Sequence, residues 1–187
     1  NEVLVRHGVS VQMSRKIDED DSLNERVSEC NKFAPDLALD IHNNAGGGDG
    51  AEAFYHYKGG TSKTLADNVL SEIVKLGQNS RGAKTKIGSN GRDYYGFIRE
   101  TVAPAIIVEC AFVDNKTDMQ IIDTEEERKA MGIAVAKGIL KTLGITFVAE
   151  VDNSATIKAQ YEEEINSLKE KNKALESKIE KIKAIVG

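Results

Sequence analysis

The chain has 187 residues, 40% of them hydrophobic, which suffices for one substantial core and an appendage and shows no sign of wholesale disorder. A formal net charge of -5 gives no basic face for nucleic acid, and no apolar run approaches the roughly 20 residues that cross a bilayer. Cys30 and Cys110 fall in apolar patterns without C-x-x-C spacing and read as free buried thiols, which suits a protein made and folded in a reducing cytoplasm.

Glu2 to His7 reads as the last turns of a helix stopped by Gly8. Val9, Val11 and Met13 alternate with Ser10, Gln12 and Ser14, which predicts a strand running into the polar loop Arg15 to Asp21. Ser22 or Asp21 caps a helix whose apolar face is Leu23, Val27, Cys30 and Phe33, and Pro35 ends it. A second strand follows, because Leu37, Leu39 and Ile41 alternate with Ala38 and Asp40 until Asn43, Asn44 and the run Gly46-Gly47-Gly48-Asp49-Gly50 stop the pattern. His42 stands at the C-terminal end of this strand, the edge at which open α/β sheets bind ligands. A histidine there is either a hydrogen-bonded structural residue or a metal ligand.

Ala51 to Tyr57 alternates again, and Thr61 or Ser62 caps a helix from Lys63 to Leu76 with the stripe Leu65, Val69, Leu70, Ile73 and Leu76. Residues 77–93 are rich in Gly, Asn, Ser, Lys and Arg and predict a long loop carrying Arg81 and Lys84, of a length that is usually functional in a compact domain. Tyr94 to Ile98 predicts a short strand. Pro104 to Phe112 is an almost continuous apolar run, the mark of a central strand covered on both faces, and Glu109 is its one carboxylate. That glutamate is either paired with a basic side chain at the sheet edge or partly desolvated, with its pKa raised toward the range useful for general acid/base work. Cys110 beside it points to the opposite face. Thr117 to Ile122 predicts a short helical piece. Glu125 to Leu143 is an amphipathic helix stopped by Gly144. Strands alternating with helices give an α/β class, a mostly parallel twisted sheet flanked by helices, over a domain spanning residues 1–146.

Residues 147–153 lose the period and predict a linker to a coiled-coil helix over 154–187. With Ile165, Asn172, Ile179 and Val186 at heptad position a, Tyr161, Leu168, Leu175 and Ile182 fall at d. The stripe either docks on the preceding domain or pairs with a second copy. Ile at most a positions, Leu at the central d positions, one Asn at a, and the pairs Glu164 with Lys169 and Lys171 with Glu176 of the partner favour a parallel homodimer through residues 158–186.

In their order and spacing, several segments resemble the zinc-dependent N-acetylmuramoyl-L-alanine amidases, the type 3 amidase family of bacterial autolysins, sporulation hydrolases and phage endolysins. These are Ser14-Arg15, Leu23 with Arg26 and Asn31, Asp36-Leu37 leading to Ile41-His42-Asn43-Asn44-Ala45, Arg81-Gly82-Ala83-Lys84, and Pro104 with Val108-Glu109-Cys110-Ala111-Phe112-Val113-Asp114-Asn115. The resemblance runs from about Val9 to Leu143. It implies hydrolysis of the amide between N-acetylmuramic acid and L-alanine in peptidoglycan. His42 would be one of three protein ligands to a catalytic zinc, and Glu109 the glutamate that takes a proton from the attacking water and passes it to the leaving amine. Asn43, Asn44, Arg81 and Lys84 are candidates for contacts to the stem peptide. The family's other two zinc ligands, in a Gly-His-Gly segment and early in the first helix, have no counterpart here, and Glu2, His7 and His56 do not fit those positions; they are expected upstream of Asn1. Such a protein would be made in the cytoplasm and act on the cell wall, in a phage or a bacterial setting. The alternative is a metal-free wall-binding or regulatory module that keeps the fold.

Overall fold

The structure, a computed structural model, describes residues 1–15, 17, 21–150 and 154–186, with side chains of the last helix described at 158–179 and 181. It divides into two units, Asn1–Phe147 and Val148–Gly187. The first contains α1 (Glu2–Arg6), α2 (Leu23–Phe33), β1 (Ala38–Asn44), β2 (Ala51–Tyr55), α3 (Thr61–Val74), β3 (Ser80–Lys84), α4 (Gly96–Glu100), β4 (Ala105–Phe112), α5 (Lys116–Met119) and α6 (Glu125–Thr142). The second is the single helix α7 (Ser154–Val186).

The four strands form one sheet in the order β1-β4-β2-β3. β4 runs parallel to β1 and antiparallel to β2, and β2 runs parallel to β3, so the sheet is mixed with two of its three pairings parallel. β4 occupies an inner position, which is why its sequence is apolar on both sides: Ile106, Val108 and Cys110 enter one core, Ala105 and Ile107 the other.

The larger core lies under α3 and α6, where Leu65, Val69 and Ile73 meet Val135, Ile139 and Leu140 above Ala51, Ala53, Ile106 and Val108. The two helices approach closely at Gly138, where a Cβ would sit 2.4 Å from the Val69 Cα. Gly138→Val therefore forces the helices apart, and a loss of about 2–3 kcal/mol is expected from the shift of the denaturant midpoint. The smaller core lies on the other face, where Phe97 and Ile98 of α4 and Val27 and Cys30 of α2 cover Ala38, Ala105 and Ile107. This cover reaches only the N-terminal halves of β1 and β4. α2 is placed by a reciprocal capping box, in which the Glu25 N–H donates to Ser22 Oγ at 3.3 Å and the Ser22 N–H donates to Glu25 Oε2 at 2.9 Å.

Three elements differ from expectation. Val9 to Met13 is not in a ladder; Val9 and Val11 nonetheless pack against the larger core, so the alternation reports burial rather than strand pairing. Tyr94 to Ile98 gives way to α4, whose one turn sends Phe97 and Ile98 inward, and over five residues a strand period and a helical turn cannot be told apart. The expected loop at 77–93 contains β3, hidden by its polar composition and by Gly82, which adopts φ 81° while pairing with Glu52.

Candidate active site

Strand alternation places Asp40 and His42 of β1, Glu109 of β4 and Glu52 of β2 on the face that carries the smaller core, just beyond the apolar cover of α2 and α4. His42 is the ladder partner of Glu109 in the parallel pair, and Glu109 is the ladder partner of Glu52 in the antiparallel pair. Strands about 4.8 Å apart thus line up an imidazole and two carboxylates in one row across the sheet. His42 and Glu109, distant along the chain, become neighbours on one face.

Each member of the row is held differently. His42 Nε2 lies 3.0 Å from Asp40 Oδ1, and Arg26 Nη1, brought over the sheet by α2, donates to both oxygens of Asp40 at 3.0 and 3.1 Å. A carboxylate on Nε2 keeps the proton there and leaves Nδ1 as the open ring nitrogen. The Asp40 bond raises the His42 pKa above its ordinary value; burial opposes this, and the charges of Asp40 and Glu109 reinforce it. Burial works against ionised Asp40, but the His42 bond and the charges of His42 and Arg26 outweigh it and hold the carboxyl below the usual range.

Glu109 is in the opposite condition. Burial pushes its pKa up, against the pull of His42, and the charges of Glu52 and Asp40 push it further. Its Oε2 is buried and, among the described residues, has no hydrogen-bond partner. Such an acceptor is costly to leave open and available for a proton.

Glu52, only 7% exposed, is fully engaged: Oε2 accepts from Arg81 Nε at 3.0 Å and Lys84 Nζ at 2.5 Å, and Oε1 accepts from Asn44 Nδ2 at 3.1 Å. Burial disfavours its charge, yet the bonds from Lys84 and Arg81 prevail and lower its pKa. Two carboxylates facing each other across a ladder repel, and the two cations on β3 offset that repulsion. Arg81 also lies over the Phe112 ring, 5.1 Å from its centroid. Beside the row, burial and then the charges of Glu109 and Glu52 push the Tyr95 phenol up.

The glycine run after β1 is fastened to the end of β4. Gly46 and Gly47 N–H groups donate to Asp114 Oδ2 at 2.7 and 2.8 Å, Asn115 Nδ2 donates to the Gly48 carbonyl at 2.9 Å, and a Cβ on Gly48 would strike the Phe112 ring at 2.2 Å. Asp118, with no exposed surface, accepts from the Gly50 and Phe112 N–H groups through Oδ2 at 2.9 and 2.7 Å. On the other side of β4, burial pushes the Cys110 thiol up to about 12.

Of the residues singled out in the sequence, His42, Glu109, Asn44, Arg81 and Lys84 come together, the last two on a strand rather than in a loop. Asn43 is exposed in the register break between His42 and Asn44 and makes no bond to the row among the described residues. Arg26, Asp40 and Glu52 were not singled out for this row. A signal existed for Asp40 and Glu52, because each is an acidic residue two positions from a core-facing one on the same strand face, Ala38 and Phe54 respectively. Among the described residues no three or more His, Cys, Asp or Glu side chains are grouped to hold a metal ion. Asp40 and Glu52 are engaged as counter-ions and Glu109 Oε2 is without a hydrogen-bond partner among the described residues, so those residues do not by themselves make a zinc-binding set.

An imidazole and an open carboxylate at the heads of adjacent strands in a helix-layered α/β domain are the makings of a hydrolytic site. Residues 1–141 match the profile of the N-acetylmuramoyl-L-alanine amidases, Amidase_3, and the chain belongs to that family. It is 32% identical over 140 residues to the N-acetylmuramoyl-L-alanine amidase CwlM of Bacillus licheniformis, covering 74% of this chain and 53% of that protein. It is 28% identical over 148 residues to the endolysin of Bacillus phage SPP1, covering 75% of this chain and 52% of that one. Among solved structures, Cwp6 from Clostridium difficile superimposes with a TM-score of 0.74 at 41% identity, over 75% of this chain and 23% of that one. The chain spans about half the length of the curated relatives it matches. No helix among the described residues is long and apolar enough to cross a membrane.

Proposed function

We propose that this chain carries the catalytic domain, residues 1–146, of a peptidoglycan hydrolase that cleaves the amide between N-acetylmuramic acid and L-alanine. Membership in the amidase family supports the choice of bond, and the ladder pairing of His42 with Glu109, whose Oε2 is unspent, is the observation that carries the chemistry. Glu109, its pKa raised by burial, takes the proton of the attacking water and returns it to the leaving amine. Asp40 and Arg26 hold the His42 ring. Arg81 and Lys84, outnumbering the one carboxylate between them, offer a surplus positive charge to carboxylates of the stem peptide, and Asn43 and Asn44 offer amides to its carbonyls.

Zinc is the proposed cofactor, with His42 as a ligand in a set the described residues do not complete; bound there, it would acidify water and polarise the scissile carbonyl. The protein is proposed to be made in the cytoplasm, to act on the cell wall, and to work as a homodimer through residues 158–186 of its coiled-coil helix, with 147–153 as linker.

Incubation of purified cell walls with the protein should release new L-alanine amino termini without new reducing sugar ends, with loss of activity in a chelator and recovery on adding zinc. New reducing ends would overturn the bond assignment. Retention on walls without cleavage, with zinc present, would replace the hydrolase reading by a wall-binding module.

A further inference from the structure

Tyr161, Ile165, Leu168, Leu175 and Ile179 of α7 are each between 49% and 62% exposed, and with Asn172 they form one stripe along the helix. A helix this polar elsewhere gains too little from propensity alone to stand unpartnered. We infer that α7 pairs with α7 of a second copy as a parallel, in-register two-stranded coiled coil, so that both chains enter it from the same end.

Charge selects this arrangement over the alternative. In the parallel pair Glu164 faces Lys169 and Lys171 faces Glu176 of the partner, against two like-charged pairings, Lys178 with Lys183 and Lys158 with its own copy at the first position a. Full antiparallel overlap also aligns the apolar stripe, with Ile165 opposite Leu175 and Asn172 opposite Leu168. It then sets Lys169 against Lys169, Lys171 against Lys171 and Glu162 against Glu176, leaving Glu164 with Lys178 as the favourable pairing. Asn172 adds a second argument. In register its amide meets its own copy and both are satisfied, whereas opposite Leu168 it is buried unpaired. Ile at a with Leu at d fits two strands.

Pairing of the last helix joins two copies of residues 1–147 in one particle. Resting on the hydrolase reading, this makes the protein bivalent toward a polymeric wall.

Light scattering of the intact protein should give the mass of two chains, and Tyr161→Cys should join the copies efficiently with a short bis-maleimide, above the background of the parent. In the antiparallel overlap those two positions lie about 27 Å apart. A one-chain mass overturns the proposal, and a two-chain mass without joining at 161 overturns its orientation. Neither readout involves bond cleavage, so they stand or fall apart from the hydrolase reading. Ile165→Asp with Leu168→Asp should give one-chain particles that bind walls at least about tenfold more weakly; equal binding would overturn the bivalent consequence.

Discussion

Glu109→Gln should lose about 10²- to 10⁴-fold in turnover on cell walls while melting no earlier than the parent protein. The substitution keeps the shape of the side chain and removes its capacity to take a proton. Because Oε2 has no partner to lose among the described residues, an amide there breaks no hydrogen bond. Burial already disfavours the charged form of Glu109, so a neutral side chain relieves a cost instead of adding one. Stability and activity should therefore move independently, which separates a catalytic carboxylate from one that only supports the sheet. Parent-level release of L-alanine amino termini by this variant would remove Glu109 from the reaction.

Asp118→Ala should be among the most damaging substitutions away from the row. The Asp118 carboxylate is fully buried, and its Oδ2 closes the N–H groups of Gly50, just ahead of β2, and Phe112, the last residue of β4. Removing it strands two buried donors, at roughly 1–3 kcal/mol each. A total near 4 kcal/mol corresponds to a fall in Tm of about 10 °C for a unit of this size. Asp118→Asn retains one oxygen able to serve both donors and should lose less than half as much. Equal losses in the two variants would mean that the negative charge, not the position of the acceptor, is what the fold needs.

The His42–Glu109 pair was legible in the sequence because each residue is a polar interruption near the C-terminal end of an apolar strand pattern, and parallel pairing then makes them neighbours. Helices α2 and α6 were legible for local reasons, α2 from a capping residue at Ser22 ahead of its apolar face and α6 from its amphipathic period and the Gly144 stop. Strand order was not. Alternation reveals which side of a strand is buried but not its neighbour, so nothing in Ala51 to Tyr55 announces that this strand lies between β4 and β3, antiparallel to the first and parallel to the second. Glu52 follows from the same gap. On an isolated strand it resembles a solvent-facing residue, and only the arrival of β3 with Arg81 and Lys84 makes it a buried hub. The fall of Arg26 over Asp40 likewise depends on how α2 crosses the sheet, a tertiary choice that its cap and its apolar positions do not encode.

The two thiols occupy separate interiors, Cys30 packed against the core beneath α2 and Cys110 on the far side of the sheet. Burial holds both in the protonated form, Cys110 most strongly, and a protonated sulfur is a poor nucleophile toward disulfides. An oxidant therefore meets no ready thiolate at either position, and the sheet stands between the two sulfurs. With both sulfurs free, the packing of residues 1–147 rests on no covalent cross-link among the described residues, in reducing and oxidising surroundings alike.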